Sequence, residues 1–84
     1  MKIAFDRSGW DDYQHWAATN PQVLKRINKL ILEITRDPRG GIGKPEPLRG
    51  FSLEVWSRRI TLEHRLVYVI EEDLITIASC RYHY

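Results

Sequence analysis

Cysteine is nearly absent from this 84-residue chain: the single Cys80 excludes an intrachain disulfide and any cysteine-based zinc clip. It lies between Ser79 and Arg81 with no basic partner that sequence alone assigns, so it is expected to be a buried strand thiol and not a nucleophile. No apolar run approaches the roughly 18 residues of a membrane span, nor the shorter apolar region of a signal peptide. A cytoplasmic protein without membrane contact is expected. Charge of one sign is also scarce. Thirteen Lys and Arg against 11 Asp and Glu leave a net +2, too little for whole-molecule electrostatics to commit the chain to nucleic acid. The three histidines, His15, His64 and His83, show no metal-ligand spacing. Gly40-Gly41-Ile42-Gly43-Lys44 follows a helix pattern and lacks the final Ser or Thr of a phosphate-binding P-loop. No metal or cofactor is expected. No internal repeat or linker breaks the chain, and at this length one core is all that can form, so residues 1–84 are expected to make a single domain.

What is present is the composition of a folded protein, 43% hydrophobic and 29% charged, with three Trp and four Tyr. Met1 to Phe5 reads as a first strand. Ser8 before Trp10 and Asp11 resembles a helix N-cap with an acid three residues on, so a helix is expected over 9–18, with Trp10, Tyr13 and Ala17 on one face. The adjacent carboxylates of Asp11 and Asp12 read as a favourable contact with the helix dipole. Thr19-Asn20-Pro21 starts a second helix, whose stripe is Val23, Ile27, Leu30, Ile31 and Ile34 and which Asp37-Pro38 and Gly40-Gly41 end. Residues 37–50 hold three of the four prolines and four of the five glycines and no apolar period, which predicts a long loop. Val55 to Ile60, Arg65 to Ile70 and Leu74 to about Arg81 alternate as strands of an antiparallel meander. The expected class is α+β: an antiparallel sheet of about four strands with two N-terminal helices packed on one face.

Strand parity locates the chemistry. Pairing Arg59 with Arg65 and Ile70 with Leu74 puts odd residues of all three strands on one face. Trp56, Ile60, Leu66, Tyr68, Ile70, Leu74 and Ala78 then form the core face, and Cys80 and Tyr82 continue it. The other face carries Ser57, Arg59, Arg65, Val67, Val69, Ile75, Ile77, Ser79, Arg81 and His83. Like charges gathered on one sheet face repel unless an anion or acid joins them. A phosphodiester satisfies Arg59 and Arg65; so does internal neutralisation by Glu46, Glu54 or Glu63. The ending Cys80-Arg81-Tyr82-His83-Tyr84 likewise has two readings, a proton-transfer and base-stacking site or an aromatic strand end that closes the core. On the first, metal-free RNA cleavage is available: Glu46 as base for the ribose 2′-OH, Arg59 and Arg65 on the phosphate, His83 as acid for the departing 5′-oxygen.

Four ordered blocks carry a family resemblance: Gly43-Lys44-Pro45-Glu46-Pro47-Leu48, Trp56-Ser57-Arg58-Arg59-Ile60, Glu63-His64-Arg65-Leu66-Val67-Tyr68, and Cys80-Arg81-Tyr82-His83-Tyr84. Together they resemble the YoeB-like toxins of the RelE superfamily over nearly the whole chain. The resemblance implies a fold like that of microbial ribonucleases and an endoribonuclease that cuts mRNA in the ribosomal A site. It implies a YefM-like antitoxin as partner and dimer formation. By the same match Glu46 is general base, His83 general acid, Arg65 and Arg59 phosphate ligands, Lys44 and Arg49 substrate-binding residues, and Tyr84 a nucleotide-positioning residue. Two positions depart from the family pattern, Arg49 standing where lysine is usual and Glu54 where glycine is typical. A relative that inhibits gyrase, of the ParE kind, lacks the Glu and terminal His set.

Overall fold

A computed structural model describes residues 1–82; His83 and Tyr84 lie outside the described residues. The elements run β1 (Lys2–Phe5), α1 (Arg7–Thr19), α2 (Pro21–Arg36), β2 (Glu46–Leu48), β3 (Glu54–Arg59), β4 (Arg65–Glu71) and β5 (Leu74–Ser79). The strands make one sheet in the order β1-β5-β4-β3-β2, with β1 parallel to β5 and the other pairings antiparallel. The α+β class is as expected, with one strand more than the expected four. That strand, β2, forms inside the proline- and glycine-rich segment. Three residues are too short to show a period, and their conformation is set by pairing with β3, Glu46 opposite Ser57 and Leu48 opposite Val55. Pro47 is tolerated there because β2 is an edge.

Helix α2 starts as its sequence predicts. The Asn20 side chain accepts hydrogen bonds from the Gln22 and Val23 N–H groups, both at 3.2 Å, ahead of Pro21. Ile27, Leu30 and Ile34 are wholly buried, each burial contributing about 1.5–3 kcal/mol over the exposed side chain. Helix α1 differs from expectation. Asp6, not Ser8, is its N-cap residue, and the Ser8 hydroxyl donates to the Ala78 carbonyl at 3.0 Å. Its buried residues are Gly9 and Trp16, while Trp10 and Ala17 face solvent. The cause is Gly9: a Cβ there would collide with the Ile77 carbonyl, so the helix backbone lies directly on β5 at this point. Trp10 is thereby turned outward against Phe5 and Tyr13.

The register between β3 and β4 is the expected one, with Arg59 opposite Arg65. Between β4 and β5 it is not. Glu71 pairs with Leu74 and Ile70 with Ile75, because the turn contains two residues, Glu72 and Asp73, where three were expected. A slip of one residue exchanges the faces of a strand. Ile75 and Ile77, expected on the polar side, are therefore fully buried in the core beside Leu66, Tyr68 and Ile70, and Leu74 and Ala78 leave it. A bulge at Val67/Tyr68 then restores the parity, so Ser79 lies opposite Val67. Cys80 is buried as expected, whereas Tyr82 is 59% exposed and not a core residue.

Arg58 lies on the core side of β3 and is fully buried. Its guanidinium donates to the Asp37 carbonyl at 2.7 Å, the Ile42 carbonyl at 3.0 Å and the Tyr68 hydroxyl at 3.1 Å, and that hydroxyl donates to the Pro38 carbonyl at 2.6 Å. The long loop is thus tied to the sheet from inside. Gly43 closes it, with φ of 83°, where a Cβ would press on Leu30 Cδ2 at 2.8 Å.

Glu54 takes a bidentate contact from Arg39 at 2.7 and 2.8 Å and a third bond from the Trp56 indole at 2.9 Å. These donors, Arg39 foremost, hold its carboxyl down at about 2, from an ordinary 4.5. A depressed acid stabilises the fold fully above its unfolded value and loses that contribution as pH falls toward its folded one. Between pH 4.5 and 2 the melting temperature of the wild type is therefore expected to fall more steeply than that of Glu54→Gln, measured by thermal unfolding across that range. Parallel curves would show that the contact contributes nothing.

Candidate active site

Cross-strand partners share a sheet face, so the pairings Glu46 with Ser57 and Arg59 with Arg65 put Glu46, Ser57, Arg59 and Arg65 on the face opposite the helices. Glu46 comes from the short edge strand β2, and the two arginines close the β3–β4 hairpin. Arg65 Nη1 lies 3.4 Å from Glu46 Oε1; the arginine side chain is 20% exposed and the glutamate 59%. One arm of the arginine meets the carboxylate, and its other side-chain donors have no hydrogen-bond partner among the described residues. The backbone N–H of Arg59 donates to the Gly43 carbonyl at 2.6 Å, which sets Lys44 at the head of β2 next to Arg59.

The alternative of internal neutralisation resolves residue by residue. Glu46 pairs with Arg65, Glu54 is taken by Arg39, and Arg58 is buried on the opposite side of the sheet. Among the described residues no carboxylate pairs with Arg59. Of two arginines directly opposite each other, Arg65 thus has one glutamate partner and Arg59 none among the described residues. Arg49 is exposed beyond the other end of β2, and no ion pair among the described residues joins it to the cluster. Beside Glu46, the Ser57 hydroxyl is buried without a hydrogen-bond partner among the described residues.

His83 and Tyr84 lie outside the described residues, but the segment that leads to them is firmly held. Cys80 N–H donates to Asp12 Oδ2 at 3.0 Å, and the Cys80 carbonyl accepts from the Trp16 indole at 2.8 Å. Tyr82 N–H donates to His64 Nδ1 at 2.7 Å, while the Tyr82 carbonyl accepts from Arg65 N–H at 2.9 Å. Asp12, which the sequence offered as a dipole contact, therefore anchors the last strand. Nothing local in the sequence points across 68 residues to that partner. The Cys80 thiol is pushed up to about 12 by burial, with Asp12 adding to the shift, so it stays a thiol and is no nucleophile.

Comparison with known proteins settles the family. A model of the YoeB-like toxins of bacterial type II toxin-antitoxin systems matches residues 5–84. The chain belongs to that family. Toxin YoeB of Streptomyces coelicolor is 54% identical over 84 residues, all of both chains. The solved YoeB/ParE toxin from Agrobacterium tumefaciens superposes with a TM-score of 0.95 at 44% identity, again covering both chains completely. YoeB from Staphylococcus aureus, solved as a dimer and in complex with YefM, gives TM-scores of 0.90 and 0.89 at 42% identity, covering 100% of this chain and 98% of that one. This YoeB-like toxin therefore shares both sequence and α+β architecture with its relatives along its full length.

Proposed function

We propose that this toxin is a ribosome-dependent endoribonuclease that cuts mRNA in the A site by metal-free acid and base transfer. The observation that carries the reading is the Glu46–Arg65 pair at 3.4 Å on the sheet face opposite the helices, beside an Arg59 with no carboxylate partner among the described residues. In the proposed reaction Glu46 removes the 2′-OH proton and the freed oxygen attacks the adjacent phosphorus. The two arginines hold the phosphoryl oxygens, where charge builds. His83 protonates the departing 5′-oxygen, leaving a 2′,3′-cyclic phosphate on one product and a 5′-hydroxyl on the other. Lys44 and Arg49 contact flanking phosphates, and Tyr84 stacks on the nucleotide. Each acid or base contributes about 10²–10⁴ in rate.

Dependence on the ribosome is what the family resemblance implies, and a net charge of +2 agrees with weak binding to free RNA at physiological salt. The cytoplasm, where translation runs, is the proposed place of action. A YefM-like antitoxin is the proposed partner, on the strength of the S. aureus complex, and the S. aureus dimer supports self-association. The test is an in vitro translation reaction with purified protein, in which primer extension is expected to reveal new mRNA ends at A-site codons. Intact message under active translation would overturn the proposal.

A further inference from the structure

We infer that His64 is a positioning residue whose Nδ1, by accepting the Tyr82 N–H, fixes the peptide from which the chain continues to His83. The bond is 2.7 Å long, and Arg65, the next residue, donates its own N–H to the Tyr82 carbonyl at 2.9 Å. Both backbone groups of Tyr82 are thus held by consecutive residues of the β3–β4 hairpin. Tyr82 is also in the left-handed region, φ 63°, which a tyrosine adopts only when its surroundings impose it. Trp16 packs edge-on against the His64 ring at 4.8 Å, and the Tyr82 ring lies at 5.4 Å on a tilt. No other element of the fold holds Tyr82 by its backbone among the described residues.

An imidazole that accepts at Nδ1 carries its proton on Nε2. A side chain with no acceptor at the place of Nδ1 leaves the Tyr82 N–H without that partner, and the clamp opens. The consequence for catalysis rests on the proposed nuclease reading; the clamp itself does not.

Amide exchange at Tyr82, followed by NMR at pH 7.5, tests the clamp in the wild type, His64→Asn and His64→Leu. Asparagine keeps an acceptor near the place of Nδ1. Protection of the Tyr82 amide is expected in the wild type and in His64→Asn, and is expected to be at least tenfold lower in His64→Leu. In the cleavage assay His64→Leu is expected to lose rate that His64→Asn retains. A protected Tyr82 amide in His64→Leu, or an unprotected one in the wild type, overturns the inference. Should His64→Leu fail to fold, the imidazole nitrogen shifts of the wild type decide, since an Nδ1–H tautomer at neutral pH is incompatible with the clamp. Absence of cleavage by the wild type would instead count against the nuclease reading alone, because Tyr82 exchange is read without substrate.

Discussion

Glu46→Ala is expected to lower the rate of mRNA cleavage by about 10²–10⁴-fold while leaving the fold intact, the loss assigned to a general base. Stability has little at stake at this position. Glu46 sits on an edge strand with its side chain 59% exposed, and a 3.4 Å contact at such a surface is worth about 0–1 kcal/mol. Glu46→Gln, which keeps the shape and removes the basicity, is expected to lose nearly as much activity. RNA binding is expected to persist in both variants, since Arg65, a proposed phosphate ligand, loses the carboxylate paired with it and Arg59 has none among the described residues. Single-turnover cleavage on programmed ribosomes, with thermal unfolding alongside, separates the outcomes. Activity within threefold of the wild type would remove Glu46 from the reaction, and a fall of more than about 5 °C in melting temperature would assign it a structural role.

The parts of the molecule that could be read from sequence are those where a local rule decides the structure. Asn20-Pro21 begins α2 because a side-chain acceptor and a fixed φ act within three residues, and the stripe through Ile27, Leu30 and Ile34 is buried because helical period places it there. The Arg59 to Arg65 pairing, assumed from the strand lengths, holds in a hairpin whose turn is fixed by Thr61, whose hydroxyl accepts from the Glu63 and His64 N–H groups. Where one residue's bookkeeping decides, the reading slipped. A two-residue turn at Glu72-Asp73 reversed the faces of β5, and only the bulge at Val67/Tyr68 brought Ser79 back to the expected side. Long-range contacts were not legible at all. Arg58 stands next to Arg59 and looks like another surface cation, yet alternation sends it into the core, where its partners are loop carbonyls with no sequence signature. Asp12, Trp16 and His64 are likewise recognisable as anchors of the terminal segment only once β5 lies against α1.

Arg58→Met is expected to destabilise the fold by about 2–4 kcal/mol, a fall of roughly 10–25 °C in melting temperature for a domain of this size. Replacing a whole buried ionic group by apolar side chains is often neutral, because the desolvation cost disappears with the charge. Here the partners stay behind. The Asp37 and Ile42 carbonyls lose these donors at 2.7 and 3.0 Å, Asp37 keeping only the Gly40 N–H at 3.5 Å, and leaving a partly buried acceptor unsatisfied costs up to about 1–3 kcal/mol. Relief of burying the guanidinium offsets part of that sum, which sets the expected range below the simple total. Arg58→Lys is not expected to restore stability. A lysine keeps the positive charge but lacks the planar fork that reaches the Asp37 carbonyl, the Ile42 carbonyl and the Tyr68 hydroxyl at once. The loop so released leads through Gly43 and Lys44 to Glu46, so cleavage is expected to fall in both variants even below their melting temperatures, a misplacement of about 1 Å being enough to cost on the order of 10²-fold. Thermal unfolding and cleavage at 20 °C measure the two effects separately. A Met variant within 2 °C of the wild type would show that the loop is held by β2 pairing and Gly43 alone.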